Sequence, residues 1–365
     1  MTRLTPYERA VNTIFNEEVD ELPAYPIACG VLRKLLPGRV TYREWATDPE
    51  VCARAFVEGY NTYKFPFTVT LVDLSLTAND LGAHVRMDTE NTPFVDKPII
   101  SSLEDYERIE APDVHQGRVG KMLKMNEIVA RDLKEKSFTI SFFEGPLLTL
   151  SQAASAERLF MDMFDDPSAV HAALEEITKL CVDGVTAVGE TGMQGMCWDY
   201  LWGNYSCLGD SEYAEFEADR YAKACNDATR EAGLGFGIHN CAELPHLDTQ
   251  VKKFGAQVYS MAYYPLEPGS LRASEVIDRG YADDCAIFGN VDPQLFVRGT
   301  KAQITHAAAE VTQEVKAALC RRGLNSHFGI ASGCEVPPDY ETKLENIGAF
   351  VDTVHQHGGI NRDGE

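Results

Sequence analysis

Short, continuously apolar runs recur along the chain, separated by stretches that carry helix signals, and this alternation limits what the chain can fold into. The runs are Ala24–Ala28, Phe67–Val72, Phe138–Phe143, Gly195–Trp198, Leu234–His239, Gln257–Met261, Cys285–Gly289 and Ser326–Ile330. Apolar runs of this length without polar alternation suit strands covered on both faces, as in a parallel sheet. Between them, Thr5-Pro6-Tyr7-Glu8 has the form of a capping box with proline at the first helical position, and Asp48-Pro49 and Asp166-Pro167 repeat the cap-then-proline pairing. Helices are expected over about 6–18, 49–63, 119–134, 167–188, 211–231, 301–321 and 339–357, with Gly233, Gly323 and Gly358 placed to stop three of them. Eight such strands alternating with helices predict an α/β fold, the (β/α)8 TIM barrel. A doubly wound open sheet is the alternative, but Gly192-Met193-Gln194-Gly195 and Gly233-Leu234-Gly235 match neither the dinucleotide nor the Walker spacing. No repeat or polar linker divides the chain, so residues 1–365 read as one barrel domain, with 84–118 as a candidate insertion.

Charge narrows the partners. With 33 Lys+Arg against 56 Asp+Glu the formal net charge is -23, which repels phosphate backbones and anionic membrane surfaces, so neither nucleic acid nor membrane is expected as a partner. Residues 1–15 carry charged side chains where a secretory leader needs an apolar core, and no run of about 18 apolar residues occurs, so a cytoplasmic location is expected. In a reducing compartment, 10 scattered cysteines read mostly as buried thiols, with ligands or nucleophiles among those that have company.

Two late strands end in such company. In a barrel the chemistry sits at the C-terminal ends of the strands. The run ending in His239-Asn240-Cys241 places an imidazole and a thiol two positions apart, so both side chains leave on one side. A second run finishes in Ser332-Gly333-Cys334, where the glycine allows a close backbone approach. One histidine and two cysteines form a donor set that zinc accepts while keeping a fourth position for water or substrate. Core packing remains the competing reading of an H-x-C pair, since spacing alone does not show that the two loops meet.

At these residues the chain resembles the uroporphyrinogen decarboxylase superfamily, in particular its zinc-containing methyltransferase branch with an H-x-C-x(n)-C motif, matched here by His239, Cys241 and Cys334. Further matches are Glu8-Arg9-Ala10-Val11 with Leu22-Pro23, Gly145-Pro146-Leu147-Leu148-Thr149-Leu150, Gly289-Asn290-Val291-Asp292-Pro293, and Cys334-Glu335-Val336-Pro337-Pro338 followed by Glu345-Asn346. The resemblance implies a barrel with zinc at its C-terminal mouth and methyl transfer between a corrinoid, such as methylcobalamin, and a small methyl acceptor or donor. The chain lacks the D-x-H-x-x-G pattern of a cobalamin-binding module, so the corrinoid is expected on a separate protein. Tetrapyrrole decarboxylation is the alternative, disfavoured because Pro26-Ile27-Ala28-Cys29-Gly30 lacks the arginine that the decarboxylase carries after its first strand. A non-catalytic barrel that only binds a corrinoid is the third reading.

Other residues at strand ends complete the expectations. Glu267 is a candidate fourth metal ligand, with a solvated loop carboxylate as its alternative. Asp199, among Trp198, Tyr200 and Trp202, and Glu144, just before the Gly145-Pro146 turn, are candidate catalytic acids or bases. Helix capping competes for Glu144. Asn290 and Asp292 read as turn formers, His327 as a satisfied core histidine, and Cys29 as a buried thiol near the mouth.

Overall fold

The computed structural model describes residues 3–88 and 90–360. Its strands are β1 (Ala24–Tyr25), β2 (Phe67–Thr70), β3 (His84–Arg86), β4 (Phe94–Lys97), β5 (Phe138–Glu144), β6 (Gly195–Asp199), β7 (Gly235–Asn240), β8 (Val258–Met261), β9 (Ala286–Val291) and β10 (Phe328–Ser332). Eight of them form one parallel sheet in the order β1-β10-β9-β8-β7-β6-β5-β2. Helices alternate with the strands, and the sheet curls into a nearly closed TIM barrel. No backbone ladder joins the two ends of the sheet. Side chains bridge the seam instead: the Val69 N–H donates to the Tyr25 hydroxyl at 3.0 Å, and the Cys29 thiol donates to the Val69 carbonyl at 3.4 Å.

All eight apolar runs of the sequence become barrel strands, but the first is cut to two residues. Pro26 follows at once, and a residue without an N–H cannot extend a ladder. The first helix ends at Ile14 rather than near 18, because Asn16 takes a left-handed conformation with φ 52°. The last begins at Leu344, not 339, after a turn in which the Thr342 N–H bonds the Asp339 carbonyl. The candidate insertion contains the antiparallel hairpin β3–β4, whose Phe94 joins the wall of the cavity described below. No helix among the described residues is long and apolar enough to cross a membrane.

The two faces of the sheet are filled differently. Toward the helices it is close-packed: Phe143 reaches the helical Gly184, the Trp198 indole N–H donates to Thr229 at 2.9 Å, and the Tyr259 hydroxyl donates to Gln250 at 3.0 Å. Toward the axis, aromatic rings fill one side, with Phe67 and Phe288 in edge contact at 4.9 Å between centroids. On the β6–β7 side the wall is Gly195, Cys197, Gly235 and Gly237, with the Phe138 ring packed over Gly195 and Gly235 and room left beside Gly237. The result is a cavity of about 690 Å³, within the usual range of small-molecule sites.

Candidate metal centre and cavity

Strand register sets up the site. Glu144 lies opposite Asp199, Asp199 opposite His239, and His239 opposite Ser260, so four polar side chains form one row across β5 to β8 at the C-terminal ends. The His239 Nδ1 bonds the Ser260 hydroxyl at 2.9 Å, which occupies that nitrogen and leaves Nε2 for a further partner. Cys241 follows β7 directly. Cys334 is brought up beside it by the turn after β10, where a side chain on Gly333 would sit 1.9 Å from the Tyr263 backbone nitrogen. Only glycine fits there, so the close approach expected of Gly333 is present.

The structure brings His239, Cys241 and Cys334 together, with their ligand atoms within 4.8 Å of one another and all three residues on the cavity wall. The two sulfurs are 3.5 Å apart. A tetrahedral zinc site with Zn–S bonds near 2.3 Å puts its sulfurs roughly 3.8 Å apart, so the donor set and spacing fit that ion. The hydrogen bond with Cys241, together with the nearby imidazole, holds the Cys334 thiol well below the ordinary range, while the same shared hydrogen bond and burial push Cys241 up. Burial pulls the His239 imidazole down, but its bond to Cys334 and the charge of Asp199 outweigh that and raise it.

Asp199 and Glu144 are buried beside this cluster. Burial pushes Asp199 up to about 7, against the lowering effect of His239, and its Oδ1 has no hydrogen-bond partner. Burial likewise pushes Glu144 up to about 8; its Oε2 accepts from Thr77 at 3.0 Å, and its Oε1 is unpartnered. Glu144 does not cap the next helix, whose N-cap is Gly145. Because the Glu144 carboxyl holds its proton more tightly when folded than when unfolded, its contribution to stability falls as pH rises from about 4.5 to about 8. The melting temperature of Glu144→Gln is therefore expected to decline less than that of the parent between pH 5 and pH 8, roughly the window set by the two states. Parallel melting curves for both proteins across that window would show that Glu144 does not titrate there.

Glu267 does not join the cluster. The segment 266–270 closes on itself, with the Leu266 N–H donating to the Ser270 hydroxyl at 2.7 Å and the Ser270 N–H to the Leu266 carbonyl at 2.9 Å, leaving Glu267 exposed on the turn. The expectation of a fourth protein ligand there is corrected. His327 is a satisfied core histidine, bonded to the carbonyls of Ala282 and Ile14 at 2.6 and 3.0 Å. Asp292 caps a short helix by accepting from the Gln294 N–H, and Asn290 donates to the Leu271 carbonyl. Cys29 is buried at the seam and does not line the cavity.

Three lining residues escaped the sequence reading: Asp73, Ser260 and Glu335. Asp73 is buried and ion-paired with Arg118, which also donates to Ser75 at 3.3 Å. Its signal was there, since a carboxylate directly after Leu71-Val72 repeats the pattern that drew attention to Glu144. Glu335 accepts the Gly30 N–H at 2.9 Å.

Comparison with known proteins places this geometry in a family. Residues 5–357 match the family described as uroporphyrinogen decarboxylase (URO-D). The chain belongs to the uroporphyrinogen decarboxylase family. Among curated members, it is 23% identical over 314 residues to the methylcobamide:CoM methyltransferase MtbA of Methanosarcina acetivorans, covering 85% of this chain and 90% of that one. It is 21% identical over 327 residues to the uroporphyrinogen decarboxylase of Danio rerio, covering 86% of this chain and 82% of that one. A solved methyltransferase from Methanosarcina mazei superposes with a TM-score of 0.79 at 18% identity, covering 97% of this chain and 99% of that one. Both arms of the family, methyltransferases and decarboxylases, are thus represented among its relatives.

Proposed function

We propose that this chain is a zinc-dependent methyltransferase that moves a methyl group from a corrinoid, delivered by a partner protein, to a small thiol. The observation that carries this is the cluster of His239, Cys241 and Cys334 on the wall of a cavity at the barrel mouth. The similarity to MtbA supports the corrinoid as methyl source.

In this reading the three residues hold zinc, which supplies Lewis acidity that brings a thiol of ordinary pKa near 8.5 into its nucleophilic form at neutral pH. The protein's own groups do the rest. Ser260 fixes the His239 ring through Nδ1. Asp199, with its unpartnered buried Oδ1 beside His239, accepts the thiol proton. Glu144, one strand further, is a positioning residue that keeps the Asp199 surroundings polar and closed to water. The transfer forms one S–C bond and breaks one Co–C bond, whose electron pair stays on cobalt as cob(I)alamin, while the proton leaves through Asp199. Positioning of the thiol against the methyl carbon supplies most of the acceleration.

Zinc-loaded protein mixed anaerobically with methylcobalamin and a thiol is expected to consume the methylcobalamin spectrum and yield the methyl thioether, detected by mass spectrometry. Protein stripped of zinc should not. Absence of zinc-dependent transfer to a thiol would remove the thiol acceptor and bring forward transfer to or from another small molecule, decarboxylation, or a non-catalytic corrinoid-binding barrel.

A further inference from the structure

We infer that the thiol taken by this site is uncharged and largely apolar, and that its body lies along the barrel axis beneath the metal cluster. This rests on the methyl-transfer reading and specifies its small substrate.

Two observations carry it. The first is charge. Among the described residues that line the cavity are Asp73, Asp199 and Glu335, and no lysine or arginine. The two buried arginines nearby, Arg33 and Arg118, do not line the cavity, although Arg33 Nε and Nη2 have no hydrogen-bond partner among the described residues. Arg118 pairs with Asp73, and Arg33 donates to the Gly30 carbonyl at 2.7 Å and to the Pro338 carbonyl between the rings of Tyr42 and Tyr340. A divalent ion held by two thiolates adds no net positive charge. An anionic group placed here would lose its hydration with no cation to replace it. A sulfonate or a polycarboxylate is therefore a poor occupant.

The second is shape. The cavity runs from Cys241 and Cys334 at one end of the strands to Gln194 and Gln257 at the other. Six residues of extended chain from Gly235 to Cys241, tilted about 36° to the axis, make this roughly 16 Å long. TIM barrels ordinarily fill this space with layers of branched side chains. Here Gly237 leaves room below the cluster, while the Phe138 ring packs over Gly195 and Gly235, 3.2 and 3.5 Å from where a Cβ would sit, and Phe67 and Phe288 narrow the space further, which suits a slender apolar or aromatic body.

Calorimetry on the zinc-loaded protein with phenylmethanethiol and with 2-mercaptoethanesulfonate tests both points. The uncharged thiol is expected to bind at least about tenfold more tightly. Gln152→Arg, which puts a cation on the lining, should narrow that gap. Gly237→Val should weaken phenylmethanethiol by about tenfold and leave the shorter sulfonate nearly unchanged. A Cβ at position 237 meets nothing closer than 3.5 Å, and the melting temperature of the variant checks that it folds. Equal or tighter binding of the sulfonate, or no binding of either thiol, overturns the inference. Zinc-dependent methylation of the sulfonate from methylcobalamin would then keep the methyltransferase reading, whereas no transfer to either thiol would sink that reading too.

Discussion

Cys241→Ala and Cys334→Ala proteins are each expected to lose their zinc, falling from about one ion per chain to a trace by elemental analysis. Both sulfurs and the His239 imidazole lie within 4.8 Å of one another, so removing any one leaves two donors for an ion that needs at least three from the protein. Methyl transfer should disappear with the metal. Ser260→Ala is expected to do less, about 10- to 100-fold in zinc affinity, because it only frees the His239 ring from its bond at Nδ1. Cys29→Ala is the control: that thiol is buried at the barrel seam and should keep full occupancy. Retention of a full zinc complement by Cys241→Ala or Cys334→Ala would remove the ligand assignment.

The second large effect lies behind the cavity wall. Arg118 and Asp73 form an ion pair whose side chains are 8% and 0% exposed. Asp73 also accepts from the Ser75 N–H at 3.0 Å and the Ser75 hydroxyl at 2.6 Å, which soften but do not replace the guanidinium. Arg118→Met is expected to cost about 3–5 kcal/mol, because a carboxylate is left buried without its counter-charge. Asp73→Asn combined with Arg118→Met should recover most of that loss, since neither charge remains to be desolvated. Urea denaturation of the parent, the single variant and the double variant measures both. A single variant within about 1 kcal/mol of the parent would show that water or Ser75 already compensates Asp73.

The barrel was legible because strands covered on both faces are written as unbroken apolar runs. Phe138–Phe143 and Cys285–Gly289 needed no periodicity to be seen. The shortest helices were not legible. Tyr42–Thr47, Leu76–Asp80, Leu103–Tyr106 and Ala273–Asp278 have four to six residues, too few to repeat a 3.6-residue pattern. For the candidate metal cluster, residue types and strand-end positions picked out His239, Cys241 and Cys334, but their meeting depends on the turn at Gly333, which spacing cannot convey. Ser260 was missed because a lone serine in Val258–Met261 looks like an ordinary interruption; only pairing with β7 makes it the partner of His239. Glu267 failed for the opposite reason. Its position after a strand was right, but local hydrogen bonds between Leu266 and Ser270 turned it outward.

The glycine-lined axis also bears on how this protein can change. In a barrel packed through its centre, altering an inward side chain disturbs the layers that hold the strands together. Here the outer shell is close-packed, with Phe143, Trp198 and Tyr259 locking strands to their helices, and the inner aromatic rings lie to one side. Of the inner-wall glycines, position 237 has the most room, a Cβ there meeting nothing closer than 3.5 Å, whereas at 195 it would meet the Phe138 ring at 3.2 Å. Selection can thus alter position 237 with little disturbance of the strands, giving a lineage built on this barrel a place where a single substitution changes what the cavity holds.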